Sequence, residues 1–109
     1  MRIAVISDVH SNYNALCRVL EDMEQNRVDR IISLGDNVGY GPDPCGVIQL
    51  LKDKGIASTL GNHELALLDP DYRQRFRGIA LKAILYTQTL LSRADVDFIA
   101  RLPFFLVEV

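Results

Sequence analysis

Short apolar runs alternate with amphipathic stretches along the first sixty residues. "MRIAVISD" at residues 1–8 is a β-branched run between polar ends, which by length and composition predicts a buried strand rather than a helix. From Asn14 to about Gln25 the apolar Ala15, Leu16, Val19, Leu20 and Met23 recur at helical spacing, with Arg18, Glu21, Asp22 and Glu24 opposite them. An amphipathic helix is expected there. "RIISLG" at 30–35 repeats the strand signature, and "GPDPCGVIQLLKDKG" at 41–55 repeats the helical one, with Asp43 as N-cap, Pro44 in the first turn and Gly55 as the stop. "IASTLG" at 56–61 reads as a third strand. Three apolar strands alternating with helices predict parallel βαβ units and an α/β fold.

Beyond "HELALLDPD", where the proline and aspartates mark a loop, Ile79, Ala80, Ala83, Ile84 and Thr87 form a helical stripe within residues 77–91. Ser92 followed by Asp95 resembles a capping box that opens a second helix through Phe98, Ile99 and Leu102, stopped by Pro103. The final "FFLVEV" at 104–109 reads as a further strand. One domain covering residues 1–109 is expected, without repeats or linkers.

Composition narrows the function classes. The chain has 109 residues, 49% hydrophobic and 24% charged, which is ordinary for a folded globular domain. Twelve basic against fourteen acidic residues give a net charge of -2, and no basic block is present to neutralise a nucleic-acid backbone. Cys17 and Cys45 stand 28 positions apart without a CxxC spacing, so free thiols in a reducing cytoplasm are expected. No apolar stretch approaches a membrane span, and "IAVIS" is too short for a signal-peptide core, so neither export nor anchoring is expected.

The chemistry-bearing residues fall at strand ends. Asp8 and His10 follow the first strand, Asp36 the second, and Asn62 with His63 the third. Parallel α/β sheets bind ligands outside the carboxyl ends of their strands, so this topology directs all five toward one rim. Individually, Asp8 could brace a helix, Asp36 could form an Asx-turn and Asn62 could cap a helix. Together they supply metal-competent groups after three successive strands, and both histidines of the chain are among them. Asp8 and His10, two apart in an extended segment, are expected to point to one side and clasp an ion through an oxygen and a nitrogen. Asp36 has two oxygens and could bridge two cations about 3.5 to 4 Å apart. Asn62 would offer an amide oxygen to the second ion, and His63, one residue on, is placed to touch a substrate. Gly35 and Gly61 precede these ligands and permit close backbone approach.

"DVH" at 8–10, "GDNVGYGPDP" at 35–44 and "GNHE" at 61–64 resemble the first three motifs of the calcineurin-like metallophosphoesterases, D-x-H, G-D-x-x-x-x-G and G-N-H-[DE]. The later "AILYT" and "FIARLP" are similar to the bacterial and archaeal branch of Ser/Thr phosphatase-like or diadenosine-tetraphosphatase-like enzymes. The resemblance implies the β-α-β-α-β N-terminal half of a four-layer sandwich, followed by two helices and a terminal strand. It implies two divalent ions, manganese, iron, zinc or similar: Asp8 and His10 on the first, Asp36 between both, Asn62 on the second. His63 would stabilise or protonate the leaving oxygen while a hydroxide between the metals attacks phosphorus in line. Asn62 and His63 would also contact the substrate, a phosphate-ester small molecule or a phosphoprotein. Glu64 would support the turn at the helix start, and Tyr40 would face the site or pack beside it.

The family's domain is about twice this long, and its second half supplies a lone histidine and a G-H-x-H motif. By count the first ion keeps Asp8, His10 and Asp36 here and the second only Asp36 and Asn62, so one ion is expected to bind well. Strands apolar on both faces leave a surface bare for self-association into a homodimer or larger assembly. The leading function is therefore metal-dependent phosphate-ester hydrolysis, weak or lost in a short form. The alternative is a catalytically inactive metal-binding or structural remnant acting as a partner subunit. A receiver-like or nucleotide-binding module fits less well, because no G-x-G-x-x-G or P-loop pattern follows any strand.

Overall fold

The computed structural model describes residues 1–107. Strands β1 (Ile3–Ile6), β2 (Arg30–Ser33) and β3 (Ala57–Ser58) form one parallel sheet in the order β1-β2-β3. Ile6 lies opposite Ser33 and Ser33 opposite Ser58, so the three strands finish level with one another. Parallel neighbours need crossovers, and helices α1 (Tyr13–Gln25) and α2 (Pro44–Asp53) supply them. Each starts at a side-chain cap. Asn12 Oδ1 accepts the Ala15 N–H at 3.0 Å, and Asp43 Oδ1 accepts the Gly46 N–H at 2.8 Å with Pro44 in the first turn.

Both helices cover one face of the sheet. Leu16 of α1 meets Val47 and Leu51 of α2 and Ile56, with Ile6 and Ile31 packed against them. A second cluster joins Val38, Ile48 and Ile99 to Leu60, Leu67 and Leu68. Helix α2 contributes to both clusters and so sets the distance between the strand ends and everything beyond β3. On β1 the alternation continues outward: Ile3 is 43% and Val5 59% exposed, and Leu34 beyond β2 is 54% exposed.

The third strand is shorter than the expected 56–61. Thr59 N–H still bonds Ser33 O at 3.0 Å, but Leu60 N–H turns away to Pro103 O at 2.7 Å. The expected loop through "HELALLDPD" is mostly helical, α3 (Asn62–Leu68) and α4 (Pro70–Arg73), broken only at Asp69. There Asp69 Oδ1 caps the Asp71 and Tyr72 N–H groups at 2.9 and 3.3 Å, while Arg73 reaches back to the Ala66 and Leu67 carbonyls at 2.8 and 3.1 Å. Helices α5 (Gly78–Leu90) and α6 (Arg93–Ala100) follow as expected, and the Ser92–Asp95 capping box closes at 3.0 and 3.1 Å. The expected terminal strand is not formed over residues 104–107, and 108–109 lie outside the described residues. Phe104, Phe105 and Val107 are exposed, and no described strand pairs with them. No helix among the described residues is long and apolar enough to cross a membrane.

Candidate metal centre

The loops after β1 and β2 are laced together by backbone. Asp8, His10 and Ser11 donate their N–H groups to the carbonyls of Gly35, Asp36 and Asn37 at 3.1, 3.0 and 2.8 Å. In return Gly41 and Asp43 donate to His10 and Ser11, each at 3.0 Å. A Cβ on Gly41 would lie 2.3 Å from His10 O, so only glycine allows this closure. The lacing is bought with backbone strain: Asp8, His10, Ser11, Asp36 and Tyr40 all take positive φ, between 47° and 60°. Asp8 and His10 therefore do not leave the strand in the expected extended conformation. Their N–H groups are committed to the second loop, and left-handed turns bring their side chains together.

Ligand atoms of Asp8, His10 and Asp36 lie within 4.8 Å of one another. His10 Nδ1 is 2.9 Å from Val38 O; a carbonyl only accepts, so Nδ1 carries the hydrogen and Nε2 presents its lone pair beside Asp8 Oδ1, 3.2 Å away. Val38 is itself fully buried in the second core, which anchors that carbonyl. The Ser7 hydroxyl donates to Asp8 and holds its carboxyl below the ordinary value, with the neighbouring His10 acting in the same direction. Two carboxylates and an imidazole with its second nitrogen already tied to a carbonyl are a donor set suited to a divalent transition cation.

The third loop reaches the centre through α3. Asn62 is its first residue and exposed, and the His63 N–H donates to Asp36 Oδ1 at 2.9 Å. The His63 ring is buried among aromatic partners, with centroids 4.7 Å from His10, 5.0 Å from Tyr40 and 5.3 Å from Phe76. Its burial lowers its pKa, with Asp36 opposing, so the neutral imidazole is favoured in the metal-free site. Its Nδ1 is buried without a partner against Gly39, where a Cβ would come within 2.9 Å. Tyr40 is half exposed and also stacks edge-on with His10 at 5.0 Å, so it both lines and packs the site. Gly35 and Gly61 touch: a Cβ on Gly35 would lie 2.5 Å from Gly61 N, and one on Gly61 would lie 2.3 Å from Asp36 N. Glu64 is fully buried, accepting the Asp36 N–H at 2.7 Å and the Gly61 N–H at 3.1 Å.

Several supporting residues were not foreseen. Beneath the ligands, Ser33 donates to Asn37 Oδ1 at 2.6 Å, Asn37 donates to Ser58 Oγ at 2.9 Å, and Ser58 donates to Thr59 O at 2.9 Å. Ser33 also accepts the Gly35 N–H at 3.2 Å, which completes a buried, satisfied chain under the second loop. The available signal was a serine closing each of two strands otherwise apolar. Val38 and Phe76 carried no sequence signal beyond hydrophobicity.

Comparison with known proteins agrees with this geometry. The family model for calcineurin-like phosphoesterases matches residues 1–106. An uncharacterized protein of Methanocaldococcus jannaschii is 37% identical over 106 residues, 97% of this chain and 44% of that protein. Serine/threonine-protein phosphatase 2 of Escherichia coli is 35% identical over 68 residues, 62% of this chain and 31% of that protein. The crystal structure of a metallophosphoesterase from Sphaerobacter thermophilus superposes with a TM-score of 0.77 at 37% identity, covering 99% of this chain and 43% of that one. The chain thus spans less than half the length of these relatives. With three motifs in order at three parallel strand ends and a family match over nearly the whole sequence, the chain belongs to the calcineurin-like phosphoesterases.

Proposed function

We propose that this chain supplies the first half of a metal-dependent site that hydrolyses phosphate esters. The observation that carries the reading is the convergence of Asp8, His10 and Asp36 within 4.8 Å. In this reading Asp8 and His10 hold one cation, Asp36 stands between two, and Asn62 offers its amide oxygen to the second. Divalent ions such as manganese, iron or zinc, when bound, polarise the phosphoryl oxygens and activate water for in-line attack. The remaining chemistry belongs to the chain. Asn62 and His63 orient the phosphate, His63 donates a hydrogen bond or proton to the leaving oxygen, and Tyr40 and Phe76 keep the His63 ring in place and shield it from water.

The substrate is a phosphate monoester or diester, on a small molecule or a phosphoprotein rather than along a nucleic-acid backbone, consistent with the net charge of -2. A cytoplasmic setting fits two cysteines that are both unpaired. The exposed Ile3, Val5 and Leu34 support self-association of the 109-residue chain, and a monomer at micromolar concentration by light scattering would rule that out.

A second reading, a catalytically silent metal-binding subunit, is favoured by the ligand count, since the chain has two histidines and only His10 is placed as a ligand. Hydrolysis of aryl phosphate mono- and diesters with added manganese decides between them. Asp36→Ala should abolish turnover, and His63→Ala should reduce it by roughly 10² to 10⁴. Turnover indifferent to both changes would refute the phosphoesterase assignment, and manganese binding without turnover would favour the silent subunit.

A further inference from the structure

We infer that Glu64 is a positioning residue that fixes the third loop against Asp36 and so sets metal affinity without touching the metal; the inference rests on the metal-dependent reading above. The reason lies in how differently the loops are joined. Loops one and two share five backbone hydrogen bonds, from Asp8 to Asp43. Between loops two and three the backbone ladder among the described residues ends at Thr59 N–H to Ser33 O, 3.0 Å. Past that point the joins are made by two carboxylates. Glu64 Oε1 accepts the Asp36 N–H at 2.7 Å and the Gly61 N–H at 3.1 Å, while Asp36 Oδ1 accepts the His63 N–H at 2.9 Å.

The pattern is a helix capping box divided between two strands. Ordinarily the N-cap side chain bonds a first-turn N–H, and the glutamate three residues later returns a bond to the N-cap. Here the N-cap is Gly61, which has no side chain, and Asp36 from the neighbouring strand takes that place. Glu64 answers both the N-cap and the substitute, so each carboxylate holds the backbone that carries the other. A glutamate needed only to cap α3 could do so from the surface. This one is 0% exposed, with Oε2 buried as well, a cost that the cap alone does not require. Through the Asp36 N–H it fixes the main chain of the ligand, and through His63 the same clasp fixes one oxygen of the Asp36 carboxylate, whose ligand atom lies within 4.8 Å of those of Asp8 and His10.

The test compares the full chain with Glu64→Ala and Glu64→Gln, the second of which keeps the accepting oxygen. Amide hydrogen exchange of Asp36 and Gly61 reads the clasp directly, and calorimetric titration with manganese reads its effect on the centre. Glu64→Ala should speed exchange at both amides at least tenfold, leave Ile31 and Ile32 protected, and weaken manganese binding by about 10- to 100-fold. Glu64→Gln should stay within about threefold of the parent in both. Unchanged exchange or unchanged affinity in a folded Glu64→Ala overturns the inference, as does a parent chain that binds no manganese. Should Glu64→Ala fail to fold, Glu64→Gln decides alone, and loss of Asp36 protection or of affinity there refutes the role of the oxygen. Manganese binding that follows Glu64 without any phosphate-ester hydrolysis would favour the silent subunit over the hydrolytic reading and leave the positioning role standing.

Discussion

The clasp can be challenged from its backbone side. Gly61 has φ -81°, a conformation open to any residue, so a rule based on torsion angles would tolerate alanine there. The space says otherwise. An added Cβ would lie 2.3 Å from Asp36 N and 2.4 Å from Asp36 Oδ1, and neither atom can move without leaving its partner. Gly61→Ala must therefore break the Asp36 N–H bond to Glu64 and the His63 N–H bond to Asp36. Each stranded buried group costs about 1–3 kcal/mol, so a loss of about 4 kcal/mol is expected. Gly55 is the control: its φ is +61°, but a Cβ there meets nothing within 4 Å. Gly55→Ala costs only left-handed strain partly offset by a stiffer unfolded chain, about 1 kcal/mol. Urea unfolding followed by circular dichroism measures both, and Gly61→Ala should lower the thermal midpoint by about 20 °C against about 5 °C for the control. A Gly61→Ala variant no less stable than Gly55→Ala would refute a rigid junction between the second and third loops.

Four further outcomes follow from the same structure. Gly39→Ala, whose Cβ would meet His63 Nδ1 at 2.9 Å at a φ of +89°, should displace the His63 ring and lower hydrolysis about 10²-fold while circular dichroism stays unchanged. Ser92→Ala should cost about 1 kcal/mol by removing half the capping box of α6. Burial alone would raise the Asp95 carboxyl, yet the Ser92 N–H, the Cys45 thiol, the Ser92 hydroxyl and the Lys52 charge together outweigh it and hold the group below its ordinary value, so its stabilisation is present above the acid range and lost as pH falls; Asp95→Asn should remove that part of the acid sensitivity. Glu64 works in the opposite sense. Burial raises its carboxyl from 4.5 to about 7, so the metal-free fold holds a proton that the unfolded chain releases, and the Glu64 contribution to stability in chelator should grow by about 3 kcal/mol as pH drops from 8 to 4, an increment read as the difference between the pH profiles of the parent and Glu64→Gln.

What was legible in the sequence was whatever local signals decide. The stripes of α1 and α5, the Asp43 cap with Pro44 and the Ser92–Asp95 box lie within a few residues of the structure they specify, and the helices begin and end within about two residues of expectation. A helix start at Asn62–Glu64 was expected, but the body of α3 was not, because seven residues are too few to show a period and its start is capped by a carboxylate 27 positions upstream. Strand β3 was overextended because nothing in "IASTLG" tells that Leu60 N–H is taken by Pro103. The identities of the ligands were legible, but the means of bringing them together was not. Asp8, His10 and Asp36 adopt left-handed backbone that their residue types seldom choose, and Glu64 is buried where glutamate seldom goes. Of the six non-glycine residues with positive φ among the described residues, five are in the first two loops of the site, and the sixth, Arg27, sits just past the end of α1. Strain of that kind persists only where surrounding bonds over-determine it, and here the bonds are the backbone lacing of loops one and two and the paired carboxylates that hold loop three. The places where local rules fail in this chain are thus the places where three strand ends are forced to share one centre.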